Sequence, residues 1–273
     1  MENSLTRLKK IKRAKDQFDE IFQKRQNALL IHYSCESFVE NTKGSHKITS
    51  IAVRNLHSGQ THSFSIFQFA EEMKVKSINE NFELIEKKLL ESFFAFVKEH
   101  KNHIWIHWNM RDINYGFVAL EHRLKALGAP GEQPEIIPDA AKYDLARLLF
   151  ERYGKFFSPH PRLINLIKLN DISDRNFLSG DEEAEAFKSG DYLKLHQSTL
   201  RKVDIFENIL TRVEEKDLKV AASFFQIHGF TSEAMIKTAK DHWICSLLVI
   251  AGIVVGLFLK LKELVSLYSL PWF

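Results

Sequence analysis

A chain of 273 residues with 45% hydrophobic content is long enough for one substantial core plus an appendage, or for two small domains, and too apolar to be disordered throughout. Its formal net charge of +3 excludes a global electrostatic drive toward nucleic acid, although basic residues crowd the start at Lys9, Lys10, Lys12, Arg13 and Lys15. The two cysteines, Cys35 and Cys245, stand far apart without CxxC spacing, which argues against a disulfide framework or structural zinc and fits a reducing cytoplasm.

In chain order, residues 5–26 set Leu8, Ile11, Phe18, Ile21 and Phe22 among charged residues at helical spacing, an amphipathic helix with a basic exposed face. Residues 28–33 (ALLIHY) are a short apolar run that reads as a central strand. Residues 47–55 alternate, turn through Ser58 and Gly59, and return over 61–67, a hairpin signal. Residues 81–101 have strong helical periodicity. They lead into Ile104, Trp105 and Ile106, a strand, followed by a polar turn holding His107, Trp108, Asn109 and Asp112 and by a helix with Phe117, Leu120, Leu124 and Leu127 on one face. Asp112 stands where either a helix cap or a site carboxylate fits. Residues 128–138 carry prolines and glycines and form a loop, with a short edge strand expected at 135–137. Helices are expected at 143–153 and 163–169, an acidic loop at 171–185, and a long helix at 192–213 with Leu195, Leu200, Val203, Ile205, Phe206, Ile209 and Leu210 in its apolar set.

Near the C-terminus, Trp243 to Leu259 (WICSLLVIAGIVVGLFL) holds no charge and is followed by Lys260 and Lys262. At about 1.5 Å per residue the run reaches about 25 Å, the short end for a bilayer, and Leu261 with snorkelling lysines extends it, so a transmembrane segment is expected at 243–261. Gly252 and Gly256 form a GxxxG pair that suits close helix contact in a homo-oligomer. The aromatic tail 262–273 suits the membrane interface. With no apolar region of a secretory signal at the N-terminus, the expected placement is the cell membrane, with the N-terminal part cytoplasmic. The expected division is an amphipathic helix at 1–27, an α/β domain at 28–216, a linker region at 217–242, the span at 243–261 and the tail.

The order strand, hairpin, helix, strand, helix resembles the ribonuclease H-like fold, and more closely the 3′-to-5′ exonucleases named after their Asp-Glu-Asp-Asp metal ligands. Tyr33-Ser34-Cys35-Glu36-Ser37 falls at that family's first motif, His107-Trp108-Asn109-Met110-Arg111-Asp112 at its second, and Asp204 on the late helix, with Asp139 near the helix after the fifth strand. The resemblance implies a mixed sheet flanked by helices, Mg²⁺ or Mn²⁺ held by Glu36, Asp112 and Asp204, and nucleic acid or a nucleotide bound beside Ser34, His107, Asn109 and Trp108. Divalent ions about 4 Å apart need several carboxylate oxygens while they activate water and stabilise a leaving oxygen. The chain departs from the pattern at Ser34, where the family has a bridging Asp, and at Thr199 and Leu200, where it has a His or Tyr base. His196 lies two helical turns before Asp204. The resemblance therefore implies a nuclease-derived binding module with degenerate catalytic motifs, or alternatively an active membrane-tethered exonuclease. A compact domain with a terminal apolar helix also resembles effectors of bacterial antiviral defence. Two further readings of the residues are a metal cluster from His32, His103, His107 and Cys35, and a Cys35 nucleophile served by His107.

Overall fold

The computed structural model describes residues 4–37, 45–128, 134–228 and 253–261. They fall into two compact units, residues 9–222 and residues 1–8 with 223–273.

The larger unit is built on a mixed five-stranded sheet in the order β3-β2-β1-β4-β5. The central strand β1 (Ala28–Cys35) pairs antiparallel with β2 (Ile48–Asn55) and parallel with β4 (Ile104–His107). The outer strands are β3 (Thr61–Ser65), antiparallel to β2, and β5 (Lys142–Asp144), parallel to β4. The β2–β3 turn is made by Asn55, whose side-chain oxygen accepts the backbone N–H of His57 (2.9 Å) and Ser58 (3.0 Å), and by Gly59, whose φ of 69° suits a residue without Cβ.

Side chains of a strand alternate between its faces, and both faces of this sheet are covered. Leu29, Ile31 and Tyr33 of β1, with Trp105 of β4, join one core with α2 (Ile66–Glu72), α3 (Phe82–Glu99) and α4 (Phe117–Ala126). Ala28 and Leu30, with Ile104 and Ile106, join a second core with α1 (Ser4–Gln23), α5 (Leu145–Tyr153), α6 (Arg162–Leu169) and the long α8 (Tyr192–Glu215). Ser34 shares the parity of Leu30, so it faces α8. His107 shares that of Trp105, so it faces α4.

Four expectations are corrected. The return strand stops at Ser65, whose hydroxyl accepts the Gln68 N–H (3.1 Å) and caps α2. Residues 135–137 have no strand pairing, and the edge strand is β5. The helix expected from residue 143 begins at Leu145, because Tyr143 and Asp144 pair with β4 and Asp144 then caps α5 by accepting the Arg147 N–H (3.2 Å). The acidic stretch expected as a loop forms α7 (Gly180–Lys188), started by a capping box in which Ser179 and Glu182 each satisfy the other's backbone N–H.

In the smaller unit, α9 (Phe224–His228) is short, and residues 253–261 are helical with Ile253, Val254, Val255, Leu257, Phe258, Leu259 and Leu261 all exposed. Among the described residues no helix is long and apolar enough to cross a membrane. Residues 243–252 of the expected span, Gly252 among them, and the tail 262–273 lie outside the described residues.

Candidate functional site

The C-terminal ends of parallel strands, beside the strand where direction changes, are where open α/β sheets place ligands. Here the end of β1 opens on a cavity of about 600 Å³ lined by Ser34, Glu36, Trp108, Asn109, Glu183 and Lys202 among others, within the range of small-molecule sites. Trp108 stacks on Phe206 of α8 (ring centroids 5.9 Å) and keeps little exposure, so it forms wall rather than lid.

At the cavity floor the Ser34 hydroxyl meets Thr199 Oγ1 (2.8 Å) and Glu183 Oε1 (3.2 Å). Glu183 also accepts from the Ser198 hydroxyl (2.9 Å) and from Lys202 Nζ (2.6 Å). The Lys202 ammonium is nearly buried and lies 5.3 Å from the Phe177 ring centroid. Ser198, Thr199 and Lys202 sit at i, i+1 and i+4 on α8, one face of the helix, and Glu183 comes from α7. A buried ammonium is retained by its carboxylate, because an unpaired charge there would be costly.

The neighbouring His32 has a defined tautomer. The Tyr115 hydroxyl donates to the Tyr33 carbonyl (3.2 Å), so it accepts from His32 Nδ1 (3.3 Å), leaving Nε2 as the acceptor. That nitrogen is buried and has no hydrogen-bond partner. Burial, with the Lys202 charge added, holds the His32 pKa well below its ordinary value, so the ring is neutral.

The structure distributes the expected site residues unequally. Ser34, Glu36, Trp108 and Asn109 line the one cavity. Asp112 borders a second cavity with His107, and its Oδ1 accepts the Asn114 N–H (2.8 Å). Asp204 borders a third with Arg175 and Arg201, ion-paired to Arg54 (3.1 Å) and Arg201 (3.6 Å). Glu36 Oε2 meets the Lys47 backbone N–H (3.4 Å). The three carboxylates assigned to metal thus face three separate cavities. Among the described residues no group of three or more His, Cys, Asp or Glu side chains could hold a metal ion. His196 Nδ1 bonds the Ser50 hydroxyl (2.8 Å), joining α8 to β2. Asp139 is held by Lys142 (2.9 Å). Cys35 lines the Ser34 cavity and His107 the other, and burial with the nearby carboxylates of Glu183 and Glu36 pushes the Cys35 thiol pKa far up, which suppresses the thiolate a nucleophile needs.

Sequence reasoning missed Lys202, Glu183, Ser198 and Asp144. The first and third were visible as polar residues interrupting the apolar face of the helix through Leu195, Val203 and Phe206, and Glu183 follows a legible S-x-x-E capping box.

On the opposite face, His107 Nδ1 accepts the Met110 N–H (3.1 Å) and its ring lies edge-on to Phe117 at 5.5 Å. Burial, reinforced by Arg111 and Lys142 and opposed by Asp144, lowers its pKa to about 4. A group depressed in the folded state binds protons more readily when unfolded, so its contribution is full above pH 6.5 and is lost as the pH falls toward about 4. The expected result is a loss of about 1 kcal/mol per pH unit across that window. Melting curves of wild type and His107→Asn, which retains an acceptor for the Met110 amide, should diverge in slope only there. Parallel slopes would contradict the assignment.

No protein-family model matches the chain, and no curated protein matches it.

Proposed function

We propose that the larger unit is a nuclease-derived domain of ribonuclease H-like type that binds nucleic acid or a nucleotide beside Ser34 without two-metal hydrolysis. The fold reading is supported by the strand order β3-β2-β1-β4-β5, with only β2 antiparallel to the central strand among its two neighbours and helices on both faces. The observation that carries the functional reading is the Lys202–Glu183 pair against Ser34. The ammonium, its charge balanced by Glu183, supplies hydrogen-bond donors for a phosphate or a sugar oxygen, but it does not lower the pKa of a bound water as a divalent ion does. The aromatic and aliphatic wall of Trp108, Tyr115, Phe177 and Leu163 suits the apolar face of a base.

The run from Trp243 to Leu261 is the proposed membrane tether. Its described part, residues 253–261, is a helix whose large apolar side chains are exposed, as a lipid-facing segment requires. Membrane disruption following ligand sensing would suit a bacterial defence effector, and this part of the proposal rests on resemblance.

The test is fluorescence anisotropy with labelled single-stranded DNA, RNA and mononucleotides on the full chain, in EDTA and in Mg²⁺ or Mn²⁺, with carbonate extraction of membranes as a second readout. Binding should persist in EDTA and weaken about tenfold in Lys202→Met, the value of one charge-assisted contact, while Lys202→Arg retains most of it. Cation-dependent shortening of the oligonucleotides, abolished by Asp112→Ala, would instead establish the active exonuclease. Binding unchanged in Lys202→Met would remove the Ser34 cavity from the account, and release of the chain by carbonate would remove the tether.

A further inference from the structure

A second cavity, of about 550 Å³, lies at the β5 edge, where α1, the turn between β4 and α4, and α5 bring Arg13, Arg111 and Arg147 around His107. Each of the three arginine side chains is more than half exposed, and each is tethered by a carboxylate that is almost completely buried. Glu151 holds two of them. Its Oε2 accepts from Arg13 Nε (3.1 Å), and its Oε1 accepts from Arg13 Nη2 (2.5 Å) and Arg147 Nε (3.1 Å). Asp144 pairs with Arg111 Nε, and Arg111 Nη2 also donates to Asn109 Oδ1 (2.9 Å). Asp144 Oδ1 is committed to the backbone N–H groups of Asn109 (3.3 Å) and Arg147 (3.2 Å).

This is an arrangement with a chemical consequence. A guanidinium carries five N–H donors in a fixed fork. The bond to Glu151 occupies only Nε of Arg147, and the bonds of Arg13 and Arg111 occupy Nε and Nη2 of each. The buried acids therefore fix the orientation of three planar cations and leave Nη donors of each at the cavity border. Lys142 is neutralised by the fully exposed Asp139 (2.9 Å) and lies 5.2 Å from the Phe117 ring centroid. The inner set is then three arginines against two buried carboxylates, Asp144 and Glu151, with Asp112 at the rim. His107 adds a donor, since Nδ1 accepts the Met110 N–H and the neutral ring carries its proton on Nε2. Pre-oriented guanidinium forks around a concave site match the several acceptor oxygens of a phosphate group.

We propose that the arginine cavity at the β5 edge binds a phosphate group, either that of a free phosphate ester or a backbone phosphate of nucleic acid. It is distinct from the Ser34 cavity, with which it shares no lining residue, and it does not rest on the nuclease-derived reading. The two meet only at Asn109, which lines the Ser34 cavity while its side chain accepts from Arg111.

Isothermal titration of the full chain with inorganic phosphate, a nucleoside 5′-monophosphate and a single-stranded oligonucleotide, each to millimolar phosphate, tests this. Arg147→Ala and the double variant Arg13→Lys/Arg147→Lys, which removes both guanidinium forks while keeping cations beside the buried Glu151 carboxylate, should weaken binding about tenfold or more, with the melting temperature recorded as a check on the fold. Lys202→Met, in the other cavity, should leave phosphate binding unchanged. An effect on the oligonucleotide alone assigns the site to backbone phosphate, and an effect on the small ligands assigns it to a free ester. Equal binding of all three ligands by wild type and the double variant, or no binding of any of them, overturns the proposal; the Ser34 reading fails separately, when Lys202→Met binds the oligonucleotide as wild type does.

Discussion

Replacing Arg123 by leucine should cost the fold about 3–5 kcal/mol, the range for breaking a buried ion pair from one side. Glu86 of α3 is wholly inaccessible to solvent. Its carboxylate accepts from Arg123 Nε (2.8 Å) and Nη2 (2.6 Å), and from the backbone N–H of Ile48 (2.6 Å). Arg123 on α4 thus ties two helices to the first residue of β2. Without the guanidinium the carboxylate must remain charged in an apolar setting or take up a proton, and either is unfavourable. The double variant Glu86→Leu/Arg123→Leu should recover most of the loss, because apolar pairs of similar volume often replace buried ion pairs at little cost. Urea unfolding of the wild type and the two variants measures this. A single-variant loss under about 1 kcal/mol would mean that the pair behaves as a surface contact.

Trp105→Ala should be as damaging, about 3–5 kcal/mol, the usual penalty for emptying an aromatic core position. The indole is completely buried and meets Phe93 (6.4 Å), Phe96 (6.4 Å) and Phe117 (6.5 Å) edge to face, contacts that add to area burial. Trp105→Phe should retain about half of the stability at risk. Because β4 ends two residues later at His107, the alanine variant should also loosen both cavities, seen as weaker ligand binding at temperatures where the protein is still folded. A melting temperature equal to wild type would contradict the packing described. Either substitution removes a large part of the roughly 5–15 kcal/mol that typically holds a domain together.

The elements with long apolar periodicity were legible. The helix expected at 81–101 is α3, the long helix at 192–213 lies within α8, and β1, the hairpin and β4 stand where alternation and apolar runs put them. What escaped was short. β5 has three residues, too few to show a period of two, and its identity depends on pairing with β4, which no local pattern encodes. α2 follows a strand without a break, and only Ser65 marks the change. α7 was obscured by its acidity, although acidic residues in a first turn favour a helix N-terminus.

The site was legible to the level of the strand ends and no further. Ser34 and Asn109 could be placed there because β1 and β4 are sheet strands. Asp204 is implied only by the family resemblance, and it lies five residues beyond Thr199, about 140° around the helix from the face that meets Ser34. Arg54, not a ligand, accounts for it. Lys202 was passed over because a lysine in an amphipathic helix is ordinarily solvated, and its burial depends on Glu183, a residue from an element that the sequence had not revealed.

The short fifth strand has a consequence for assembly. An exposed sheet border is a template on which another chain can extend the ladder. Here one border offers only Lys142–Asp144, with Lys142 bonded to Asp139 and Asp144 committed to the Asn109 and Arg147 amides. A three-residue border whose last side chain is already committed is a poor seed for strand addition. Copies of this protein at high local density would therefore be protected on that side from fusing into a continuous sheet.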